Sequence, residues 1–206
     1  MLAADPADGR RYGGRSLPQR RADRRRRLLD AALDLFGTTG YAGVPIERLC
    51  AAASVATRSF YEEFPGREQL LLAVYEEITS AATMAVTEAL EAAPRELAPR
   101  VQAGLSAYVG FVTSDPRRAR IAHQEARAAG LLEGNRHAAV VAFAAIIERE
   151  ALAVGAQRGA ADGRLLALAL AGAANELLVD WTTSDPRPPT EPILRQLCQL
   201  FVAALT

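Results

Sequence analysis

The feature that most constrains the fold is an apolar pattern with the period of an α-helix. Leu28, Leu29, Ala32, Leu35 and Phe36 fall at positions i, i+1, i+4, i+7 and i+8, which places them on one face of a helix. No stretch rich in β-branched residues alternates with a period of two. The sequence therefore predicts an all-α fold with about nine helices.

Glycine and proline residues predict where the first helices end. The GTTGY stretch over residues 37–41 combines turn and cap residues and is expected to terminate the first helix. A short second helix is predicted over Pro45–Ala52, with proline in its first turn, and a third over Thr57–Phe64. A long fourth helix is predicted from Gly66 to Ala92. It is expected to connect the two halves of the chain and to transmit changes between them.

The third predicted helix has the composition of a recognition helix in a helix-turn-helix. Such a helix must enter a DNA major groove about 12 Å wide. Its leading residues, Thr57, Arg58 and Ser59, are short or flexible and polar, and are predicted to reach base edges or phosphates. Phe60 and Phe64 are predicted to form the apolar back face that fixes the angle of the helix.

From about Ala22 to Ile78 the chain resembles the N-terminal domain of the tetracycline-repressor (TetR) family. The matching motifs are LLDAALDLF, GY at residues 40–41, IERLCAAASV at 46–55, FY at 60–61, Phe64 and REQLL at 67–71. The resemblance implies an N-terminal helix-turn-helix domain, a C-terminal helical domain that binds an unidentified small molecule, and a homodimer. It also implies a repressor that binds a palindromic operator in double-stranded DNA and is released by a small hydrophobic ligand.

Three further residues are expected to contact phosphates. Tyr61 carries a hydroxyl that can donate to a phosphate oxygen. Arg67 stands where the family commonly opens its fourth helix with lysine, and Arg48 lies on the second predicted helix.

The sequence departs from the family pattern at three positions in this region. Val44 stands where a capping threonine or serine is common, and its side chain can neither cap a helix nor bind a phosphate. Ser54 replaces the turn glycine, although serine tolerates a left-handed conformation less well. Ala56 removes an N-cap from the recognition helix, at a cost of about 1 kcal/mol.

Positive charge is concentrated near the N-terminus. Nine arginines and one acid, Asp23, lie between Arg10 and Arg27. Within the run Arg20–Arg27, only Asp23 and Asp30 are near enough in the sequence to relieve the repulsion, so some part of the arginine-rich arm is expected to contact DNA phosphates. We predict a flexible arm over residues 1–20, a helix-turn-helix domain over 21–80 with its motif at about 45–64, and a ligand-binding and dimerisation domain over 81–206.

The C-terminal half offers a candidate dimer interface and a candidate pocket. Broad apolar stripes on the last two helices predict a four-helix interface, two helices from each subunit. The interface candidates are Leu177, Trp181, Leu194, Leu197 and Phe201, with Trp181 open between the interface and the core. The pocket candidates are Tyr108, Phe111, His123, Phe143 and Asn175, where the three aromatic residues could equally be core.

Other function classes find little support in the sequence. Two cysteines and two histidines form neither a disulfide framework nor a metal cluster, and no nucleophile–base set or glycine-rich phosphate loop is present. We therefore expect no enzyme activity, no cofactor and no metal. No uncharged run is long enough to span a bilayer, so a cytoplasmic protein is expected. An activator, or an interaction module of the same fold that has lost specific DNA binding, remains an alternative.

Overall fold

The computed structural model describes residues 16–125, 132–155 and 160–206. Within them the chain has no strand, which confirms the all-α prediction. The described residues contain nine α-helices and one π-helical turn, Ile121–Glu125. The α-helices are α1 Leu17–Thr38, α2 Ile46–Ala53, α3 Thr57–Glu63, α4 Arg67–Ala92, α5 Leu97–Thr113, α6 Pro116–Arg120, α7 Glu133–Ala153, α8 Ala160–Thr183 and α9 Glu191–Leu205.

Helix α1 begins earlier than the sequence pattern suggested. Ser16 caps it, since its hydroxyl accepts from the Gln19 backbone N–H at 3.3 Å while the Gln19 side chain accepts from the Ser16 N–H at 2.8 Å. This capping box fixes the helix start. Residues 17–20 are therefore helical, and assigning them to a flexible arm was wrong. The rest of the predicted arm, residues 1–15, lies outside the described residues.

The turn between α2 and α3 has the left-handed geometry expected for Ser54. Its φ and ψ are 52° and 50°, and it is the one described residue other than glycine with positive φ. A guanidinium nitrogen of Arg27 donates to the carbonyls of Ala53 and Ser54, each at 3.1 Å. This contact satisfies carbonyls that the end of α2 would otherwise leave open. Ala56 provides no side-chain cap to α3, as predicted.

A first hydrophobic cluster packs α1 to α4 together and includes Ile121 of the π-helical turn. Phe60 is fully buried and Phe64 nearly so, so the predicted back face of α3 is confirmed. Val44 is also fully buried in this cluster. Its side chain supports the core, which accounts for an apolar residue where a capping hydroxyl was expected.

A second cluster joins α5, α7, α8 and α9. Trp181, Leu197 and Phe201 are buried within it, and the Trp181 indole N–H donates to the Pro188 carbonyl at 2.7 Å. Leu197 and Phe201 were predicted to form a dimer interface, and Trp181 was left open between that interface and the core. All three belong to the core of the subunit, because the inner side of the apolar stripe on α8 and α9 faces α5 and α7.

Two helical segments, Arg67–Ala92 and Asp162–Thr183, are long and apolar enough to cross a membrane by length and composition alone. Both contribute buried residues to the packed helices. Core helices of folded proteins commonly meet the same criterion, so these segments are weak evidence for a membrane span.

The left-handed serine predicts a stabilising substitution. Ser54→Gly should raise the free energy of unfolding by about 1 kcal/mol, because glycine adopts this conformation without the steric cost of a Cβ. Denaturant unfolding monitored by circular dichroism would measure it. Ser80→Gly is the matched control: this exposed serine lies within α4, so the same change should lower stability. A lower stability for Ser54→Gly would contradict the argument.

Candidate DNA-binding surface and ligand cavity

Helix α3 presents its leading residues outwards, as a recognition helix must. Thr57 and Arg58 are exposed and Ser59 is half-buried. The nearest acidic group to Arg58 is Glu62, at 3.9 Å, and the Arg58 side chain remains 92% exposed. Tyr61 is 54% exposed on the same helix. The buried phenylalanines of α3 therefore hold a polar face towards solvent, where it is available to a major groove.

The arginines of α1 have acidic partners that the sequence did not suggest. Arg21 and Arg24 bind the Glu63 carboxylate at 3.2 and 2.6 Å, and Arg24 lies 3.3 Å from Glu62. Arg26 binds Glu77 at 2.9 Å. The expectation that only Asp23 and Asp30 relieve this charge was wrong, because α3 and α4 bring distant carboxylates to α1.

These ion pairs fasten the end of α3 to α1. The Glu63 side chain is only 1% exposed. Burial alone would raise the pKa of its carboxyl, but hydrogen bonds and charge from Arg24 and Arg21 outweigh burial, and the pKa lies below its ordinary value. The guanidinium of Arg25 stacks on the Phe64 ring, with its carbon 4.4 Å from the ring centroid. Much of the arginine-rich segment thus positions α3.

Arg67 and Arg48 differ in how available they are to DNA. Arg67 donates to the Val44 carbonyl at 2.5 Å and stacks on the Tyr41 ring at 4.8 Å. It therefore secures the loop between α1 and α2. Arg48 is exposed, and it makes no ion pair with any residue that the structure describes. Of the two, Arg48 is the freer to meet a phosphate.

A second set of contacts joins the π-helical turn to the end of α1, and we call it the latch. The Glu125 carboxylate accepts from the Tyr41 backbone N–H at 2.8 Å and pairs with Arg120, also at 2.8 Å. Arg120 also donates to the Thr38 carbonyl at 2.8 Å. Gly40, with φ of 95°, lies directly beneath: a Cβ there would be 2.8 Å from a guanidinium nitrogen of Arg120. The loop that leads into α2 is thus clamped by residues of the C-terminal half.

A largely apolar cavity of about 130 Å³ lies among α4, α5, α7, α8 and α9. Its lining follows α4 from Tyr75 to Leu90, about 22 Å at 1.5 Å per residue. Four of the five predicted pocket residues line it: Tyr108, His123, Phe143 and Asn175. Tyr108 and Phe143 lie against each other, with ring centroids 5.0 Å apart.

Phe111, the fifth predicted pocket residue, is not part of the cavity lining. It is half-buried and packs against both hydrophobic clusters, with the Arg118 guanidinium 4.7 Å from its ring centroid. Phe111 and Tyr108 lie about one turn apart on α5, so the sequence predicted both as pocket residues. Tyr108 lines the cavity, whereas Phe111 packs between the two hydrophobic clusters.

Sequence reasoning missed the charged residues of the cavity wall: Arg100, Arg136 and Glu150. The Arg100 Nε donates to Glu150 at 2.8 Å, and Arg149 adds a contact at 3.2 Å. Burial alone would raise the pKa of Glu150, but the hydrogen bonds from both arginines lower it below its ordinary value. Among the described residues no group of three histidines, cysteines or carboxylates could hold a metal ion.

The outer face of α8 and α9 retains exposed apolar side chains. Leu165, Leu177 and Leu200 are exposed by 66%, 38% and 45%, and Leu194 is half-buried. Of the predicted interface residues, Leu177 and Leu194 therefore remain accessible to a second subunit.

The comparisons with known proteins agree with this architecture. A family model for "Bacterial regulatory proteins, tetR family" matches residues 28–74, from α1 into α4. Residues 28–74 therefore form a TetR-type helix-turn-helix segment. The chain is 26% identical over 187 residues to the HTH-type transcriptional regulator EthR of Mycolicibacterium smegmatis, covering 87% of this chain and 84% of EthR. It is thus a transcriptional regulator with a DNA-binding helix-turn-helix.

Solved structures show the same fold over nearly the whole length of this chain. The fatty acid degradation regulator FadR from Bacillus halodurans superposes with a TM-score of 0.76 at 16% identity, covering 87% of this chain and 94% of that one. FadR from Bacillus subtilis, solved in complex with stearoyl-CoA, gives 0.75 at 17% identity, covering 87% and 98%.

The Glu63 ion pairs predict a pH-dependent contribution to stability. The pKa of Glu63 in the folded protein lies below the ordinary 4.5. The carboxylate therefore stabilises the fold above that pH, and the contribution is lost as the pH falls through the lowered pKa. Glu63→Gln should lower the free energy of unfolding at pH 7 by about 2 kcal/mol, with the difference shrinking in acid.

Urea unfolding at pH 7 and at successively lower pH would measure this difference. Glu91→Gln, an exposed α4 position, is the matched control and should have little effect at any pH. An equal loss for Glu63→Gln at neutral and acidic pH would show that charge plays no part.

Proposed function

We propose that this protein is a cytoplasmic, homodimeric repressor of the TetR family that binds a palindromic operator and releases it when a small hydrophobic molecule enters the cavity. The observation that carries the proposal is the latch. It joins the π-helical turn, part of which lines the apolar cavity, to the loop that leads into the helix-turn-helix. A regulator that senses a ligand must couple its two sites energetically, and the latch is a set of contacts that joins them. The stearoyl-CoA bound to FadR supports a ligand-binding role for the cavity here.

The DNA contacts follow from the exposed face of α3. We assign base-edge or phosphate contacts to Thr57, Arg58 and Ser59, and a phosphate contact to the Tyr61 hydroxyl. Arg48 and Arg67 are assigned to phosphates, with Arg48 the better exposed of the two.

Dimerisation is assigned to the outer face of α8 and α9, through Leu165, Leu177, Leu194 and Leu200. Two copies of this face would form a self-complementary four-helix interface. A dimer that binds a palindrome has to present its two α3 helices to successive major grooves, about 34 Å apart. The division into an N-terminal DNA-binding domain over residues 21–80 and a C-terminal effector domain over 81–206 follows from the same assignment.

Ligand binding and DNA release are coupled through the latch in this account. Ala122 and His123 line the cavity, and Glu125, two residues further on, holds the Tyr41 backbone N–H. A ligand that displaces the π-helical turn would loosen the loop before α2 and change the angle of α3. Helix α4, the transmitter predicted from the sequence, lines the same cavity and offers a parallel route.

Operator binding is the direct test. Wild-type protein should bind one palindromic segment upstream of its own gene saturably, with affinity that falls as salt rises. Arg58→Ala should weaken this binding by about 1–3 kcal/mol. Arg95→Ala, an exposed arginine after α4, should leave it unchanged. Fluorescence anisotropy with labelled DNA and excess competitor would measure each affinity. Equal, weak binding to all DNA would contradict the proposal.

Breaking the latch should affect both sites. Glu125→Ala removes the partner of the Tyr41 N–H and of Arg120, so operator affinity should fall about tenfold, the effect of one lost charged hydrogen bond. Because coupling is reciprocal, the remaining response of DNA binding to ligand should shrink as well. Glu88→Ala, at an exposed α4 position, is the control. Unchanged operator affinity together with an unchanged ligand response would exclude the latch as the link.

A further inference from the structure

The two arginines in the cavity wall have different electrostatic surroundings. Arg100 is neutralised by its ion pair with Glu150. Arg136, on α7, makes no ion pair with any residue that the structure describes, although it lines the same cavity. The internal stretches outside the described residues, 126–131 and 156–159, contain no acidic residue. Among the residues that the structure describes, the cavity wall therefore carries one arginine without an acidic partner.

Hydrogen-bond donors lie beside that charge. Burial raises the pKa of the Tyr75 phenol, and Arg136 is close enough that its positive charge opposes this rise. Burial also raises the pKa of Tyr108, with a further contribution from Tyr75. Both phenols stay protonated at neutral pH and can donate. Neither hydroxyl has a hydrogen-bond partner among the described residues.

Apart from Thr79, His123, Asn175 and the Arg100–Glu150 pair, the rest of the lining is apolar, and the cavity is elongated. From Tyr75 the cavity follows α4 for about 22 Å, and it ends near Leu90 and the neutral Arg100–Glu150 pair. Along this path the wall is built from aliphatic side chains: Ile78, Ala82, Val86, Leu90, Val101 and Leu105. A wall of this shape suits an extended alkyl chain with a polar group at one end only.

We propose that the cavity binds a single-chain amphiphile with one carboxylate, whose head pairs with Arg136 and whose alkyl chain runs towards Leu90. This assignment rests on the proposed function, in which the cavity is the effector site. One uncompensated cation beside the Tyr75 phenol, with the Tyr108 phenol next to Tyr75 in the same lining, matches one carboxylate through charge-assisted hydrogen bonds. A coenzyme A ester carries several phosphate charges, and the described wall offers no second unpaired arginine for them.

The test compares ligands that share a chain and differ at the head. Isothermal titration calorimetry of the full-length protein would use decanoate, decanol and decanoyl-CoA. Decanoate should bind about tenfold more tightly than decanol, the usual effect of a charged hydrogen bond. Arg136→Gln should weaken decanoate binding about tenfold and leave decanol unchanged. Arg95→Gln, exposed and outside the cavity lining, should alter neither.

Three outcomes would overturn the proposal. Equal affinity for decanoate and decanol would remove the role of the charge. An equal loss of both ligands in Arg136→Gln would assign that residue to the structure of the cavity. Tighter binding of decanoyl-CoA than of decanoate would make the thioester the ligand. Operator affinity without ligand, measured on the same preparations, separates these outcomes from a failure of the proposed function: a protein that binds its operator but prefers decanol is still a regulator.

Discussion

The recognition helix depends on burial of its two phenylalanines. Helix α3 has only seven residues, and a helix this short is not stable alone in water. It also has no side-chain cap at its start, where the N-cap residue is Ala56. The left-handed Ser54 lies two residues before that N-cap. Phe60 and Phe64 provide the anchor, because their side chains are buried against α1, α2 and α4. The Glu63 carboxylate then ties the far end of α3 to α1.

The arginines of α1 have two roles: some hold α3 in position, and others are available to a phosphate backbone. Arg21, Arg24 and Arg27 turn towards the helix-turn-helix and hold its carboxylates and carbonyls. Arg20 is exposed, and it makes no ion pair with the part of the chain that the structure describes. Positive charge can therefore both position α3 and attract a phosphate backbone, without one role excluding the other.

The sequence predicted those features that depend on local pattern. The helical period, the buried faces of Phe60 and Phe64 and the left-handed Ser54 all follow from residues close together in the chain. The partners of the α1 arginines could not be predicted in this way, because Glu63 and Glu77 lie 39 to 51 residues away. Leu197 and Phe201 were misassigned, and Trp181 was left open, because an apolar stripe looks the same whether it faces the core or a second subunit. Arg136 was missed because a charged residue on an amphipathic helix usually faces solvent.

The central claim is that an occupied cavity loosens the loop before α2. Hydrogen exchange at the Tyr41 backbone amide tests it most directly, since in this structure that N–H is held by Glu125. The account predicts that saturation with decanoate speeds exchange at this amide while the amides in the middle of α1 keep their protection. Unchanged exchange at Tyr41, under conditions where decanoate releases the operator, would contradict the account and leave α4 as the route.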